Sequence, residues 1–462
     1  MQRKTLRGWL AAILIAGLSG NAATAMADTM VDLVNELMAS GVLTEERGQL
    51  LLKAHRGEKD AEKKNAEKKV KKGNTPANVS YGKKGFEFNS EDDKFSLAIQ
   101  NRIQVRYAEP FDSDPRTLAD LDRDEKSFMV RRARTKLTGH AYQPWIKFYL
   151  QYDWAQPVLR DMVLTVDKYK WAEVKVGRFK VAYNNERVAS SGAQQFVNRS
   201  IVNDVFTVDR QQGVEVKGNL FAGEPYDLTY YAGVFTGLGV GERNNDDDTL
   251  MYSARLQWNA LGGEMKWDQS DVEFHEQPAL NISIAANSNR SRCTAFETDS
   301  RSCRNLTDVN AAGKARYRNP SSTTTPALPG QYEIDQMMEE VNFKYKGFSL
   351  LHELHGKRIK DTNNNDEETT LLGGFVQAGY FPHRLISSIP VGIELAGRYA
   401  LVDMDTDRDN DRQKELSGVI NYFMEGHNSK LSLQLSRLTV QDPISDQEDS
   451  ENRLWAQWDF SF

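Results

Sequence analysis

Regular alternation of apolar and polar residues is the feature of this sequence that most constrains its fold. Near residues 94–107, Leu97, Ile99 and Val105 share one parity, whereas Arg102 and Arg106 share the other. Successive side chains of a β-strand point to opposite faces, so this pattern predicts a strand with one apolar and one polar face. A soluble β-sandwich would contain such strands too, so the fold class has to be inferred from all the alternating segments together.

We count sixteen alternating segments, near residues 94–107, 127–142, 144–155, 159–168, 171–179, 210–219, 227–236, 249–259, 262–270, 337–346, 348–358, 370–381, 390–401, 413–424, 429–440 and 452–462. Short turns and long polar loops alternate between them, and the longest loop covers residues 271–336. An even strand number with short turns at one rim and long loops at the other is typical of outer-membrane barrels. The sequence therefore predicts an all-β fold, a 16-stranded antiparallel transmembrane β-barrel in a Gram-negative outer membrane.

The N-terminus has the pattern of an export signal. Residues 1–27 begin with basic residues, continue with an apolar run, and end with Ala25 and Ala27 at the spacing of a cleavage site. The apolar run is too short to span a bilayer as a helix. We expect a signal peptide over 1–27, a periplasmic helical and charged segment over 28–84, and the barrel over 85–462.

The segment after the signal combines a helical and a charged part. Apolar residues recur at helical spacing over residues 29–56, where Gly41 interrupts the pattern. Residues 57–73 continue with little apolar content. Two interpretations of this charged part stay open, a solvated linker or a short coiled coil between protomers, although its apolar repeat does not last three heptads.

The two cysteines, Cys293 and Cys303, are ten residues apart in a chain that we expect to be exported. Such a pair most simply forms one disulfide that closes a small loop.

His352 and His355 would lie on opposite faces of a strand, so they could not bind one metal ion. The aspartates of residues 403–411 lack the glycine and the distal glutamate of a calcium loop, and a solvated loop, or one bridged to lipopolysaccharide by divalent cations, is favoured. We expect neither a metal site nor a cofactor.

Several stretches resemble the phosphate-selective porin O/P family. They are GFEFNSEDDKFSLAIQNRIQVRY (85–107) for the first strand, VRRARTKLTGHAY (130–142) for the second strand, VGRFKVAYNNERVASSGAQQFVNRSIV (176–202) for the third loop and DRQQGVEVKG (209–218) for the strand after it. The resemblance covers roughly residues 85–462. Asn101 replaces a glycine that is common in the family, and the closing strand lacks the glycine often found before its aromatic residues.

The resemblance implies a homotrimer of sixteen-stranded barrels, each with its own anion pore. It also implies a ladder of arginines along the lumen and a third loop that folds inward as a constriction. Arg187, Ser190, Ser191 and Arg199 would then lie at that constriction. The chain ends in LWAQWDFSF, and its aromatic residues suit insertion into outer-membrane lipid by the barrel assembly machinery.

Parity, applied without the resemblance, predicts which charged side chains enter the lumen. Arg or Lys at the lipid-facing midplane costs about 2–4 kcal/mol, so charged residues of the other parity should face inward. This rule sends inward Arg102, Arg106, Arg132, Arg134, Lys136, Lys147, Asp153, Lys175, Arg255 and Arg398. Arg131 breaks the pattern, and either a place near the extracellular rim or a β-bulge that turns both neighbours inward would account for it.

A row of guanidinium groups suits an anion pore, because arginine stays protonated and its planar fork of donors fits phosphate oxygens. We therefore expect a passive channel for phosphate, polyphosphate or a related oxyanion, with Asp153 or Asp161 fixing a neighbouring cation. A general anion-preferring porin, whose cations pair with acids such as Glu173, Glu215 and Glu394, stays open, and so does an adhesin or anchoring barrel. No enzyme is expected, because the strands hold no trio of serine, histidine and acid. No nucleic-acid partner is expected either.

Overall fold

The computed structural model of the chain describes residues 34–35, 37–39, 41, 43–54, 56–57, 77–82, 85–110, 117–121, 125–240, 242, 244–296, 303–307, 315–319, 322–323 and 326–462. The chain forms two compact units, Met1–Pro76 and Ala77–Phe462. The expected signal peptide and the charged stretch from residue 58 to residue 73 lie outside the described residues.

The first unit is helical where it is described. Residues 34–35, 37–39 and 45–54 are in helical conformation, and Gly41 between them has a φ of 71°. Glycine adopts positive φ at little cost, so the predicted interruption at Gly41 is confirmed. No helix in the described part of the chain has the length and apolar character needed to cross a membrane.

The second unit consists mainly of β-strands. They are β1 (Ala77–Gly82), β2 (Gly85–Ser90), β3 (Phe95–Glu109), β4 (Ser127–Ala141), β5 (Gln143–Asp153), β6 (Val158–Tyr169), β7 (Ala172–Lys180), β8 (Arg210–Leu220), β9 (Leu228–Phe235), β10 (Met251–Leu261), β11 (Ala279–Ser291), β12 (Ala295–Phe296), β13 (Cys303–Arg304), β14 (Tyr332–Tyr345), β15 (Phe348–Asp361), β16 (Glu367–Tyr380), β17 (Ile393–Asp403), β18 (Arg412–Phe423), β19 (Ser429–Asp442) and β20 (Gln447–Ser461). The helical pieces are short, namely the 3-10 turns Leu118–Asp120 and Pro382–Arg384, the helical turn Asn185–Val188 and the helix Ile201–Phe206.

Sixteen of these strands close into a barrel. Strands β3 to β11 pair antiparallel in sequence order, β11 pairs with β14, and β14 to β20 continue the series until β20 pairs with β3. The predicted 16-stranded antiparallel barrel is therefore confirmed, and closure leaves no barrel strand with an unpaired edge. The hairpin of β1 and β2 adds to the start of β3, so strand structure begins at Ala77, inside the segment 28–84 that we expected to be helical and charged.

The predicted strand over residues 262–270 is wrong. That stretch is a connection whose first residues, Gly262 and Gly263, have φ of 73° and 76°. The ninth barrel strand is instead β11, which lies inside the predicted 271–336 loop. Its inward face carries small polar residues such as Ser283, which is 1% exposed. Asparagine and serine are uncommon in strands, and this composition made the segment look like a loop.

Burial alternates along the barrel strands as the sequence pattern predicts. In β10, Tyr252, Leu256 and Trp258 are exposed on the outer surface, whereas Arg255 and Gln257 are buried inside. The outer surface therefore presents apolar side chains to the surroundings, and the polar side chains line the lumen.

The two rims of the barrel differ in the length of their connections. At the short-turn rim, β4 and β5 are joined by Tyr142 alone, and β14 and β15 by residues 346–347. At the long-loop rim, the third loop covers residues 181–209 and the fifth loop covers residues 292–331. A disulfide joins Cys293 to Cys303 in the fifth loop, as the sequence predicts.

Part of the lumen is filled by an apolar cluster, which we call the lumen core. The third-loop helix Ile201–Phe206 packs there against Leu306 of the fifth loop and against inward-facing residues of β14 to β19 such as Ile334, Leu371 and Val402. Burial of apolar side chains stabilises a structure by about 25 cal/mol per Å². The lumen core thus fixes both loops to one side of the barrel wall.

Candidate functional site

The third loop crosses the lumen and is held there by four glutamates of the barrel wall. Backbone N–H groups of the loop donate to three of them, from Asn185 to Glu340 at 2.8 Å, from Glu186 to Glu353 at 2.7 Å, and from Ile201 to Glu415 at 3.0 Å; the side chain of Gln195 donates to Glu394 at 2.7 Å. We call Glu340, Glu353, Glu394 and Glu415 the glutamate row. Carboxylates that accept backbone N–H groups form strong hydrogen bonds, so the loop has a defined position.

Two predicted lumenal arginines pair with the glutamate row. Arg255 lies 2.8 Å from Glu340, and Arg398 donates to Glu415 at 2.8 Å. All four side chains are nearly inaccessible to solvent. A buried charge needs a paired and hydrogen-bonded partner, and these arginines satisfy that need for the acids that hold the loop.

Two predicted arginines of the third loop are also engaged within it. Arg187 donates its Nε–H to Asp209 at 2.6 Å, and Arg199 donates to the backbone carbonyls of Glu186 at 2.8 Å and Ala189 at 3.1 Å. These contacts tie the two ends and the middle of the loop together. Arg187 and Arg199, together with Arg255 and Arg398 of the barrel wall, hold the loop in place. None of these four arginines lines the open space beside the loop.

That open space is a cavity of about 350 Å³ between the third loop and the wall from β4 to β8. We call it the basic cavity, because five basic side chains and one acid line it, together with two serines: Arg134, Lys136, Lys175, Lys180, Arg210, Asp161, Ser190 and Ser191. The excess of positive charge in a partly enclosed space favours an anion there. The residues named in the sequence analysis that come together at this cavity are Arg134, Lys136, Asp161, Lys175, Ser190 and Ser191.

The serines of the third loop meet arginines of the wall. Arg102 donates to Ser190 at 3.0 Å and to Ser191 at 2.6 Å, and Arg134 donates to Ser191 at 3.3 Å. Gly192 follows directly, and a Cβ at this position would lie 2.5 Å from Nη1 of Arg102. The third loop contains this single glycine, which permits the close approach of the arginine.

Several cations of the wall donate to neutral oxygens. Lys136 donates to the Gln100 amide at 3.3 Å, Arg132 donates to the Gln104 amide at 3.0 Å, and Lys180 donates to the carbonyl of Ala189 at 2.9 Å. An amide or carbonyl oxygen satisfies a donor without cancelling its charge. The hydrogen-bond acceptors of these three groups therefore add no negative charge beside them.

Two aspartates lie among the cations. Asp153 accepts from Nε of Arg134 at 2.7 Å, and Asp161 accepts from Nε and Nη2 of Arg210 at 3.0 Å each. The sequence left open which aspartate fixes a cation, and each of them holds a different arginine. Lys147 contacts Asp167 away from the basic cavity, with half of its side chain exposed.

Two further predicted residues lie on β3 and β4. Arg106 is fully buried and donates to the Gln457 amide at 2.9 Å and to Asn198 of the third loop at 2.8 Å. Arg131 is the extra residue of a β-bulge, because Gln104 pairs with Arg132 whereas the next residue of β3 pairs with Val130. The bulge lets Val130 face outward and Arg132 face inward, which accounts for the break in parity.

Sequence reasoning missed Lys180 and Arg210. Phe179 is buried inside the barrel, so strict parity would turn Lys180 outward. The two residues pair with each other where β7 and β8 lead into and out of the third loop, and both side chains line the basic cavity. Their positions could have indicated this orientation, because they lie at the two ends of a loop that folds inward, where strand parity no longer holds.

The described residues contain no group of three or more side chains that could hold a metal ion. His355 is buried and contacts Glu353 at 3.0 Å, whereas His352 lies on the outer face and contacts the carbonyl of Phe375 at 3.0 Å. The predicted opposite orientation of the two histidines is confirmed.

Comparison with known proteins agrees with this architecture. Solved structures with the same fold include OmpT of Vibrio cholerae (12% identity, TM-score 0.50, covering 80% of this chain and 98% of that one), an anion-selective porin from Comamonas acidovorans (11%, 0.50, 80% and 100%) and the channel DcaP of Acinetobacter baumannii (10%, 0.51, 81% and 99%). At such low identity, the likeness concerns the fold alone. A search of curated proteins finds no significant match.

The family profile described as "Phosphate-selective porin O and P" matches residues 105–462, which is well over half of the chain. This family match, together with the closed barrel, supports a channel of the outer membrane and not an enzyme. The chain belongs to the family of phosphate-selective porins O and P.

Proposed function

We propose that the protein is a passive, anion-selective channel that admits phosphate, polyphosphate or a related oxyanion across the outer membrane. The observation that carries this proposal is the basic cavity, where Lys136 and Lys180 donate to neutral amide and carbonyl oxygens. The lining serine Ser190 accepts from Arg102 of β3. An incoming oxyanion would supply the negative charge that these donors lack. The family to which the chain belongs supports the same assignment.

The chemistry of the cavity fits an oxyanion better than a halide. Guanidinium groups offer several N–H donors in a plane, and the hydroxyls of Ser190 and Ser191 can donate as well as accept. A tetrahedral oxyanion has several acceptor oxygens and can use both kinds of donor in place of its hydration shell. A halide would be attracted by the positive charge but would gain little from the arrangement of several donors around a tetrahedral ion.

The third loop would form the constriction in this proposal. Its serines face the cations of the wall across the cavity. Arg187 and Arg199 stabilise the loop from within, and Arg255 and Arg398 pair with the glutamates of the wall that hold it. Several cations in series would bind an ion at each step, and their mutual repulsion would keep any one site from holding it too tightly. The predicted lumenal residues thus divide into those that contact the ion and those that position the loop.

A second candidate is a general anion-preferring porin without a phosphate site. Asp153 and Asp161 favour it, since they neutralise Arg134 and Arg210 within the same wall. Such a pore would show anion selectivity from its net charge but no preference among anions.

A planar-bilayer recording distinguishes the two candidates. Chloride current through the purified protein is measured while phosphate is added at millimolar concentration. We expect phosphate to reduce the chloride current in a saturable manner, because a bound oxyanion occupies the path. A saturable block would support the phosphate site, anion selectivity without block would favour the general porin, and cation selectivity would contradict both.

We further propose a homotrimer, inserted by the barrel assembly machinery among outer-membrane lipid and lipopolysaccharide. The outer surface carries an apolar groove between β3, β4 and β18 to β20, lined by Tyr107, Phe128, Tyr422 and Trp458 among others. Native mass spectrometry of the detergent-extracted protein tests the trimer, and a mass of one chain would contradict it.

A further inference from the structure

The connection between β10 and β11, residues 262–278, is unusual for its rim. Short turns join most strands there, such as Tyr142 alone between β4 and β5. In outer-membrane barrels this rim faces the periplasm. We call residues 262–278 the periplasmic connection.

The periplasmic connection enters the lumen and does not simply pass over the rim. Gln269, Ser270 and Asp271 are 3%, 1% and 1% exposed. At one end, Trp267 packs against the inward-facing guanidinium of Arg255, with 4.8 Å between the guanidinium carbon and the ring centre. At the other end, Asp271 accepts from the backbone N–H of Gly347 at 2.7 Å. The segment is therefore held at one end by Arg255 of β10 and at the other by the turn between β14 and β15.

The periplasmic connection also contacts the third loop, and Gln269 forms this joint between the two loops. Its backbone N–H donates to the carbonyl of Ala193 at 3.2 Å, and its side-chain oxygen accepts from the backbone N–H of Gln195 at 2.9 Å. Ser270 donates to Glu394 at 2.9 Å, and Gln195 donates to the same glutamate. Two loops that enter the barrel from opposite rims are thus joined to each other and to the wall.

This joint lies on the side of the glutamate row, opposite the basic cavity. We propose that the periplasmic connection is a specificity-determining partition, which closes the acidic side of the lumen and directs ions past the basic cavity. The inference rests on the proposed anion channel for its consequence and on the loop contacts for its geometry. Without the partition, Glu394 would lose its contact with Ser270, and ions would reach a carboxylate that repels anions and attracts cations.

The test compares the full-length protein with two variants in planar bilayers. In the first, residues 264–276 are replaced by Asn-Gly, a sequence that suits a tight turn between antiparallel strands. We expect single-channel conductance to rise about twofold and the anion-to-cation permeability ratio to fall about threefold, because a second path with acidic walls opens. A folded variant with unchanged conductance and unchanged selectivity would overturn the proposal.

The second variant, Gln269→Ala, decides the matter if the first fails to fold. It removes the acceptor for Gln195 and leaves the barrel strands intact, so we expect a smaller rise in conductance with frequent transitions between two current levels. Glu273→Gln is the matched control, because Glu273 lies in the same connection, is 55% exposed in its side chain and pairs only with Lys266 among the described residues. Equal currents for Gln269→Ala and Glu273→Gln would overturn the partition.

The outcome for the partition can be separated from that for the proposed function. If the unaltered protein shows no anion selectivity, the anion channel fails. A rise in conductance in the shortened variant would still identify the connection as a partition. Faster entry of an uncharged sugar into proteoliposomes would show the same widening of the lumen without depending on ion selectivity.

Discussion

The guanidinium of Arg102 donates to the hydroxyl of Ser191 at 2.6 Å, so a cation of β3 and a hydroxyl of the third loop meet inside the lumen. The same hydroxyl accepts from Arg134 at 3.3 Å. One neutral oxygen is therefore shared by two cations, and their remaining donors stay available to a ligand that carries more negative charge.

Replacing this shared hydroxyl is expected to weaken anion binding. Ser191→Ala removes an acceptor that orients both Arg102 and Arg134, as well as a donor for an oxyanion. We expect the phosphate concentration for half-block of chloride current to rise about tenfold, which corresponds to about 1.4 kcal/mol. Ser190→Ala is the matched control with a smaller expected effect, because the Ser190 hydroxyl accepts from Arg102 alone among the described residues. Equal half-block concentrations in Ser191→Ala and the unaltered protein would argue against the shared site.

Removing one cation of the basic cavity is expected to lower selectivity. Lys136 donates to a neutral amide at 3.3 Å, and its charge therefore acts on a passing ion with little compensation. We expect Lys136→Gln to lower the chloride-to-potassium permeability ratio about fivefold, equivalent to about 1 kcal/mol of lost attraction. Lys147→Gln changes the net charge equally but removes a cation that already pairs with Asp167, so its reversal potential should shift less. A larger shift for Lys147→Gln would contradict the assignment of the cavity.

Neutralising one member of the glutamate row is expected to destabilise the third loop. In Glu415→Gln, Arg398 loses its nearer carboxylate partner, at 2.8 Å, and keeps Glu186 at 3.4 Å, while all three groups are buried. Breaking a buried ion pair costs about 3–5 kcal/mol, so the folded barrel should convert to the heat-denatured gel mobility at a lower temperature. Glu339→Gln is the control, because Glu339 lies on the exposed outer face of β14. Identical conversion temperatures for the two variants would show that the glutamate does not hold the loop.

Reduction of the disulfide is expected to loosen the fifth loop but not the barrel. The bond between Cys293 and Cys303 restricts a short loop, and such cross-links stabilise by about 2–4 kcal/mol. After reduction, limited proteolysis should cut within residues 292–331 more rapidly, while the resistant barrel fragments stay intact. A Cys293→Ser, Cys303→Ser double variant should behave as the reduced protein does. An unchanged cleavage rate after complete reduction would contradict this role.

Much of the fold could be predicted because strand parity carries so much information. Only outward residues must be apolar in a barrel, and this requirement placed fifteen of the sixteen strands near their positions in the structure. The strand β11 escaped because its inward face is built from asparagine, serine and alanine, which leave a weak alternation. In the preceding residues 262–270, charged residues alternate with Met265 and Trp267 as they would in a strand, although two glycines with positive φ begin a connection there.

The candidate site was predicted less completely, for two physical reasons. Parity assigns a side chain to the lumen but does not say which partner it meets there, so Arg134 at the basic cavity and Arg255 beside Glu340 looked alike. Parity also fails where a strand bends into a loop, and it therefore overlooked Lys180. Near the long-loop rim, inward positions such as Leu371 are apolar because they pack in the lumen core, which a rule that sends apolar residues to lipid cannot anticipate.

The lumen core has a consequence for how this protein can diverge. On the side of β14 to β19, both faces of the wall are apolar near the long-loop rim, so a substitution there affects folding before it affects transport. The wall from β4 to β8 instead carries charged side chains around the open space of the basic cavity. Mutations that retune the choice of solute can therefore accumulate on one side of the molecule, while the opposite side preserves the scaffold in which they act.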